Sequence, residues 1–348
     1  MDAGPPAPAP GAARRTLDAF RASPYFPATV ITLILAVAAA LFAGSYVFAM
    51  ADPSPHHIPT AVVADGPRAG REERREFVTA LEQRLGSSLD QRRYDSYAAA
   101  KEALEAQEVF AILRLTRARG VELYVASAAG SSVARLLRET APRVGRSVGV
   151  DVTVRDLKPL DRGDPRGLAL FYISLAAVIT GFIGAIQLSV HARGLDPLER
   201  MGVTAAYALL GGFAITAVVD WVLGSVDLPF VHSWMILAFT MFTSGMVFTM
   251  FNTLIGRWAM LPTWGLMVLL GNPSSGGAVS WPLLPSPLGV IGRWLPPGAS
   301  VNAQHTAVYF PGHPQVQPYL TLAGWSVLSC TVFWIWRHRH PGGRADAS

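Results

Sequence analysis

The chain has 348 residues, of which 51% are hydrophobic and only 15% are charged. This balance, with a positive mean hydropathy, is typical of an integral membrane protein and argues against a fully soluble or disordered chain. Of the 29 Lys/Arg and 24 Asp/Glu residues, 19 and 17 lie in residues 51–166, so this polar region is nearly balanced and the net charge of +5 does not indicate nucleic-acid binding. The single cysteine, Cys330, excludes a disulfide framework and a thiolate metal cluster.

The first 27 residues begin with a Pro/Ala-rich stretch and continue with three arginines, which predicts a cytoplasmic tail. The first long apolar run, residues 28–50, follows this tail. "AMAD" at 49–52 resembles a signal-peptidase site, so cleavage is one interpretation. The run has 23 residues, whereas a signal-peptide core has about 7–15, and this length favours an uncleaved first transmembrane span.

Residues 51–166 alternate between strand-like and helix-like patterns, which predicts an α/β domain with a mixed sheet. Two buried strands are expected, at 58–64 and 108–116, and two further strands at 121–128 and 150–157. Helices are expected at 71–86, at 96–107 and after Ser131, the last one interrupted near Pro142.

Residues 167–336 predict a five-span membrane domain, with spans at 168–190, 203–223, 229–251, 258–271 and 319–336. Arginines are concentrated in the N-terminal tail, in the loops at 191–202 and 252–257, and in the tail at 337–348. The positive-inside rule then places both termini in the cytoplasm of a multi-pass plasma-membrane protein. The predicted fold is therefore an α-helical polytopic membrane protein of six spans, with an extracytoplasmic α/β domain inserted between spans one and two.

Signatures of the common enzyme classes are missing from the sequence. A P-loop needs a lysine after a glycine, and neither of the two lysines, Lys101 and Lys158, follows one. HExxH and Gly-x-Ser-x-Gly motifs do not occur either. We therefore expect a protein that is not an enzyme and that has no catalytic residue, no cofactor and no metal site.

Residues 271–318 form a Gly/Pro-rich segment that is expected on the outer side of the membrane. Between 271 and 298 it contains six prolines and six glycines, so no continuous helix can cover it. Lipid cannot satisfy irregular backbone, so the segment must be outside the membrane or re-entrant and shielded. We expect a cap over a cavity; its candidate residues are Gly271, Asn272, Pro273, Gly276 and Gly277.

Asp220 lies about one turn from the outer end of its predicted span. One interpretation is a carboxylate at the membrane edge, beside Trp221. The other is a carboxylate that faces a hydrated pathway, because an ionisable group inside a membrane usually has a function. The sequence leaves both open.

The order of these elements resembles the ABC-2-type permeases, and in particular their phage-infection-protein-like (YhgE/Pip-like) branch, which is common in actinobacteria. The resemblance is carried by "GNPSSGGAVSWPLLPSPLGVIGRWLPPGASVNAQHTAVYF" at 271–310 and by "IPTAVVADGP" at 58–67. The architecture matches over nearly the whole chain, whereas the specific motifs cover about fifty residues.

This resemblance implies an export permease subunit without its own ATPase, with an unknown substrate. It implies a separate ATPase partner and a second permease copy, and it places ATPase coupling in the loop at 191–202, with candidate residues Arg193, Asp196, Glu199 and Arg200. The alternative is a non-transporting envelope scaffold or receptor that binds through its outer domain.

Overall fold

The computed structural model describes residues 20–51, 53–63, 71–115, 120–192 and 194–340. Two compact units make up the chain, Met1–Tyr46 and Val47–Ser348. Helix α1, Tyr25–Met50, contains the predicted first span and has 26 residues. At 1.5 Å per residue it is about 39 Å long, which is sufficient to cross a hydrocarbon core of about 30 Å.

The second unit begins with a five-stranded mixed sheet in the order β2-β1-β3-β4-β5. Strands β1 and β2, β1 and β3, and β4 and β5 pair in parallel, whereas β3 and β4 are antiparallel. The strands are β1 Pro59–Val63, β2 Asp90–Tyr94, β3 Ala111–Leu115, β4 Gly120–Val125 and β5 Asp151–Asp156. The predicted α/β character and the mixed sheet agree with this arrangement.

Three helices cover the two faces of this sheet, and they are α2 Arg71–Leu85, α3 Tyr97–Glu105 and α4 Ser131–Ser147. Helices α2 and α4 pack on one face, where Phe77 and Leu137 share a buried apolar cluster with Leu123 of β4. Helix α3 packs on the other face, where Leu104 joins Ile112 of β3. Alternate residues of each strand therefore face opposite helical layers, as the period of two requires.

Two local features of this domain differ from the sequence prediction. Strand β2 was not expected, because its residues "DQRRY" are charged and mostly exposed; the strand lies at the sheet edge, where one polar strand is tolerated. Helix α4 continues through Pro142, so the predicted interruption is wrong.

The rest of the second unit is predominantly helical. Helix α5 is Ala169–His191, and α6, Pro197–Ala217, continues as a wider turn to Leu223. Helix α7 is Phe230–Ile255, and the short α8 is Met260–Trp264. Helices α9, α10 and α11 are Leu288–Ile291, Pro296–Tyr309 and Gln317–Arg339. Five helical stretches of the described residues, including α1, are long and apolar enough to cross a membrane, which fits a multi-pass membrane protein.

The predicted fourth and fifth spans fall within one of these stretches, Phe230–Leu270. Gly256 interrupts it with φ 59° and ψ −130°, a conformation that favours glycine. Beyond this break, Met267 and Val268 share a buried cluster with Val247 and Phe248 of α7. The polypeptide after Gly256 therefore packs into the same apolar cluster as the second half of α7.

Close backbone contact holds α5 against α7. A Cβ placed on Gly181 of α5 would lie 2.6 Å from the carbonyl oxygen of Met241 and 2.9 Å from its Cα. Thr240, Thr243 and Ser244 of α7 are completely buried in the same region. Small residues at a helix contact allow such close packing, which stabilises helix association in a membrane.

We expect Gly181→Ala to destabilise the protein, because backbone atoms of α7 must move to admit the methyl group. Overpacking of this kind typically costs about 1–3 kcal/mol. Gly324→Ala on α11 is the matched control, since nothing lies within 4 Å of its Cβ position. Thermal unfolding in detergent should show a lower midpoint for Gly181→Ala and an unchanged or higher midpoint for Gly324→Ala. Equal midpoints for the two variants would contradict this account of the α5–α7 contact.

Candidate functional site

The Gly/Pro-rich segment is folded into the protein between the sheet domain and the helices. Residues 271–275 are buried, and the chain then forms a turn at Trp281–Leu283 and the short helix α9, Leu288–Ile291. Helix α10, Pro296–Tyr309, completes the segment. The protein itself therefore shields the irregular backbone of residues 271–275.

Apolar side chains anchor this segment to the sheet domain. Val279, Leu283 and Leu284 belong to the same buried cluster as Phe110 and Val133. The hydroxyl of Ser132 also donates to Ser280 Oγ at 2.7 Å, and the Ser280 amide donates back to Ser132 Oγ at 2.8 Å. The sheet domain and the segment therefore share one core.

Helix α10 begins where two prolines provide a preorganised first turn. Pro296 and Pro297 occupy its first positions, where a missing N–H costs nothing, and Leu295 precedes them with extended backbone. Eleven of its fourteen residues are buried. The sequence "PPGASVNAQHTAVY" carries no Lys, Arg, Asp or Glu, so this burial requires no desolvated ion pair.

Polar side chains join α10 to α7. Thr240 donates to Ser300 Oγ at 2.8 Å, and Gln304 Nε2 donates to the carbonyl oxygen of Ser233 at 3.0 Å. Ser300 precedes Gln304 on α10, whereas its partner Thr240 follows Ser233 on α7, so α10 runs antiparallel to α7. A helix with a polar buried face thus lies against the N-terminal half of a long apolar helix.

Several buried polar atoms around α10 have no hydrogen-bond partner in the structure. They are Gln304 Oε1, the Oγ atoms of Ser174, Ser233 and Ser244, and the indole Nε1 of Trp281. Buried polar groups are nearly always satisfied, and a group that is not normally has water, an ion or a ligand as its partner. Four of these five atoms belong to α5, α7 and α10, so the interior of the helical domain is polar here.

The opposite end of α10 contacts the sheet domain through side chains. Gln107 Nε2 donates to Thr306 Oγ1 at 3.0 Å, and His305 Nδ1 donates to the carbonyl oxygen of Ala128 at 3.1 Å. The loop after α10 adds a contact, because Gln315 Nε2 lies 3.4 Å from the carbonyl oxygen of Ala106. These bonds connect the sheet domain directly to the helix that packs on α7.

A small cavity of about 50 Å³ lies at this junction. The sheet domain contributes Gln107, Phe110 and the turn before α4, and the segment contributes Ser280 and the three residues of "SGG", Ser275, Gly276 and Gly277. The full lining comprises Gln107, Phe110, Ala129, Gly130, Ser131, Ser275, Gly276, Gly277, Ser280, Trp281, Val301, Asn302, His305 and Gln315. This volume is sufficient for a few water molecules or a small polar group.

Two titratable groups lie in or beside α10, His305 within the helix and Asp161 next to its last residue, Tyr309. Burial lowers the pKa of His305, and the bond to Ala128 and the charge of Asp164 only partly oppose this effect. Burial also raises the pKa of Asp161, whose carboxylate accepts a bond from the Tyr309 hydroxyl at 3.4 Å. The neutral form of His305 therefore donates from Nδ1 and leaves Nε2 as an acceptor at the cavity.

The predicted cap residues lie together in the structure. Gly271, Asn272 and Pro273 are buried beneath α10, and a Cβ on Gly271 would lie 2.7 Å from Pro297 Cγ. Gly276 has φ +82°, and a Cβ there would collide with the Trp281 indole. Gly276 and Gly277 line the cavity, whereas Asp220 does not.

Asp220 instead holds a turn at the end of α6. It lies in the wide turn Val218–Leu223, half-buried, and its Oδ1 accepts from the Leu228 amide at 3.3 Å. This contact fixes the connection between α6 and α7. Neither sequence interpretation of Asp220 is decided by this bond.

The candidate coupling residues stabilise their own loop. Asp196 and Glu199 form a capping box at the start of α6, in which Glu199 Oε2 accepts from the Asp196 amide at 2.9 Å. Arg200 donates to the carbonyl oxygens of Leu188 and Ala192, which end α5. Arg193 lies outside the described residues. The exposed side chain at the start of α6 is Leu198.

One group of potential metal ligands occurs among the described residues. Glu102, Glu105 and His313 bring ligand atoms within 4.8 Å of one another. His313 Nε2 already bonds Glu102 Oε1 at 2.8 Å, and Lys101 approaches Glu105 at 3.7 Å. These pairs explain why the three side chains lie together. The bond between His313 and Glu102 is a further link between α3 and the loop after α10.

We expect acidification to destabilise this junction through His305. Because burial lowers its pKa in the folded state, the unfolded state binds more protons below the ordinary histidine pKa of about 6.5, and stability is lost as the pH falls through that region. Asn can keep the Nδ1-like donor without titrating. The drop in melting temperature between about pH 7.5 and about pH 5.5 should be smaller in His305→Asn than in the wild type.

His191→Asn is the control for this experiment, because His191 is exposed at the end of α5. It should show the same acid-induced drop as the wild type. If His305→Asn and the wild type lose the same stability on acidification, the proposed titration of His305 is wrong.

No protein-family model, no curated protein and no solved structure matches this chain.

Proposed function

We propose that the chain is the membrane subunit of a transporter, an ABC-2-like export permease that depends on a separate ATPase. The observation that supports this most is helix α10, an uncharged helix with buried polar side chains that packs against α7. Irregular backbone and polar side chains at this position are tolerated in a membrane where they line a water-filled or substrate-filled route. The resemblance of residues 271–310 to the permease segment supports the same assignment.

The unpartnered atoms of this region support a route rather than a sealed core. Gln304 Oε1 and the hydroxyls of Ser233 and Ser244 are buried without partners. Leaving such a group unsatisfied costs about 1–3 kcal/mol, so their retention is best explained by water or substrate that binds them in part of a transport cycle.

The finer arrangement belongs to this proposal. Six crossings result if the chain beyond Gly256 returns through the membrane to the buried residues 271–275. With the arginine distribution of the loops, both termini lie in the cytoplasm, and the sheet domain and the Gly/Pro-rich segment lie on the outer side of the plasma membrane. A second copy of the chain completes the permease.

The alternative is a non-transporting envelope scaffold or receptor. The observation that favours it is an open, arginine-lined cleft on the sheet domain, between α2 and β2. The two functions differ in what they require of α10, because a scaffold needs this helix only for folding.

We expect the polar face of α10 to be reachable by a small hydrophilic thiol reagent. In a Cys330→Ser background, Gln304→Cys should react at least about tenfold faster than Ala303→Cys, since only the first side chain belongs to the polar face and residue 303 packs with Ile236. Both residues are fully buried, which matches the pair. Equally slow labelling of the two variants would favour a dry core and the scaffold.

The same reagent tests the sides of the membrane. Ser286 and Gly194 are exposed, on the Gly/Pro-rich segment and on the α5–α6 loop. Ser286→Cys should react in intact cells, whereas Gly194→Cys should react only after permeabilisation. The reverse pattern would overturn the proposed topology.

We also expect an ATPase to co-purify with the chain in mild detergent and to depend on the α5–α6 loop. Charge reversal at Glu199 or Arg200 would disturb the loop itself, so the sharper variant is Leu198→Glu, at a side chain that is 66% exposed. Val290→Glu, at an equally exposed position on the outer segment, is the control.

Quantitative mass spectrometry should show the ATPase with the wild type and with Val290→Glu, and a reduced amount with Leu198→Glu at equal membrane abundance. If no ATPase accompanies the wild type, the coupling part of the proposal fails. Recovery of envelope proteins alone would then favour the scaffold.

A further inference from the structure

The carboxyl ends of the parallel strands β1, β2 and β3 lie at one end of the sheet. Strands β2 and β3 lie on opposite sides of β1, so the chain reverses direction across the sheet at β1. At the opposite end of the sheet, where β3 begins and β4 ends, Phe110 and Ala128 lie beside α10. In open α/β sheets, ligands typically bind in the crevice beyond the carboxyl ends of the strands, near such a reversal.

A cleft of about 470 Å³ lies between α2 and the edge strand β2. Val62 near the end of β1 forms its floor, and the first three turns of α2 form one wall. Its size lies within the range of about 300–1,000 Å³ that is usual for small-molecule sites. The lining residues are Val62, Arg74, Arg75, Val78, Thr79, Glu82, Gln91 and Arg93.

The charges of this cleft are unbalanced. Its described lining residues include three arginines and one carboxylate, that of Glu82. Glu82 Oε1 already accepts from the Leu89 amide at 2.8 Å and from Gln91 Nε2 at 3.3 Å. Arg75 and Arg93 are exposed and form no ion pair with any residue in the described part of the chain.

The strand register explains why these charges converge. Arg93 pairs with Val62 in the parallel ladder, so both side chains point to the face that α2 covers. Arg92, the next residue back, points to the opposite face, where it pairs with Asp90 at 3.1 Å and donates to the carbonyl oxygen of Glu108. Two adjacent arginines therefore have different surroundings, one engaged and one open.

We propose that this cleft binds a phosphate-bearing ligand, through Arg75 and Arg93 with Arg74 beside them. The guanidinium group offers paired N–H donors that match two phosphate oxygens, and charge-assisted bonds of this kind are about twice as strong as neutral ones. Thr79 and Gln91 add neutral polar groups on the two walls, which suits a polar, hydroxyl-bearing group next to the phosphate. The inference does not require that the chain transports anything, and it holds for either function proposed above.

Two sources can supply this chemistry, a soluble phosphate ester and an anionic phospholipid headgroup. The probes are glycerol 3-phosphate for the first, and vesicles that contain phosphatidylglycerol for the second, with phosphatidylcholine vesicles as the neutral reference. The full-length chain is held in phosphatidylcholine nanodiscs, so that its own bilayer contributes no phosphate monoester and no anionic headgroup. Binding of glycerol 3-phosphate is measured by calorimetry and binding of vesicles by flotation.

The decisive comparison is between two double variants that remove the same charge. Arg75→Gln/Arg93→Gln empties the cleft of its open arginines, whereas Arg84→Gln/Arg92→Gln removes two exposed arginines outside it. We expect the first to weaken binding by at least about tenfold and the second by less than about threefold, since only the first removes charge-assisted contacts. If the first double variant is unstable, Thr79→Glu replaces it in the test. This substitution adds a carboxylate to the cleft and leaves every arginine in place, so it should also weaken binding.

Each outcome decides the proposal. Binding of either probe that depends on Arg75 and Arg93 supports it, and the probe that binds identifies the source. If neither probe binds the wild type, or if both double variants bind as tightly as each other, the cleft is an ordinary solvated surface and the proposal is wrong.

Discussion

The need to give every buried backbone group a partner governs the region between the sheet domain and the helices. The chain places six prolines and six glycines in residues 271–298, so no continuous helix or strand can supply regular bonds over the whole of this stretch, which contains short helical turns such as α9. The protein meets this requirement by folding the segment against itself and against its neighbours. Gly292 lies directly on the Ser274 carbonyl group, and Gly298 lies on that of Gly292. A side chain at either position would push apart backbone segments that are in contact.

The same segment unites parts of the molecule that are distant in sequence. Its first half completes the apolar core of the sheet domain, and its second half, α10, provides polar contacts to α7. A displacement of α10 along α7 would therefore strain the bonds of Gln107 and His305 as well. Coupling between an outer domain and an interior helix needs a continuous set of contacts of this kind.

The elements with a strong periodic pattern were predictable from the sequence. Four of the strands and the long apolar helices follow from alternation and from length, and the structure has strands and helices at these places. Strand β2 was missed because "DQRRY" has no apolar face; its pairing with β1 supplies the stability that its side chains do not. Helix α4 passes through Pro142 because its buried face, including Leu137 and Ala141, outweighs the lost bond.

The candidate site was predictable only in part. The sequence pointed to Gly276 and Gly277 because glycine pairs mark close approach, and both line the cavity. Gln107, Asn302, Gln304 and His305 were missed, since they come from positions that only the tertiary fold brings together. A signal did exist: "PPGASVNAQHTAVY" starts with two prolines and is uncharged over fourteen residues, which is unusual for an exposed outer loop.

The chain enters and leaves the sheet domain at the same end of the sheet. Strand β1 starts and β5 ends on the side that faces α10, because β3 and β4 form the only antiparallel pair among the described strands. An insertion with adjacent ends can change in size or be exchanged for another fold without any change in the path of the helices that flank it. Selection can therefore alter the sheet domain and its surface while the helices before and after it in the chain stay constant, so that one helical scaffold can carry different insertions.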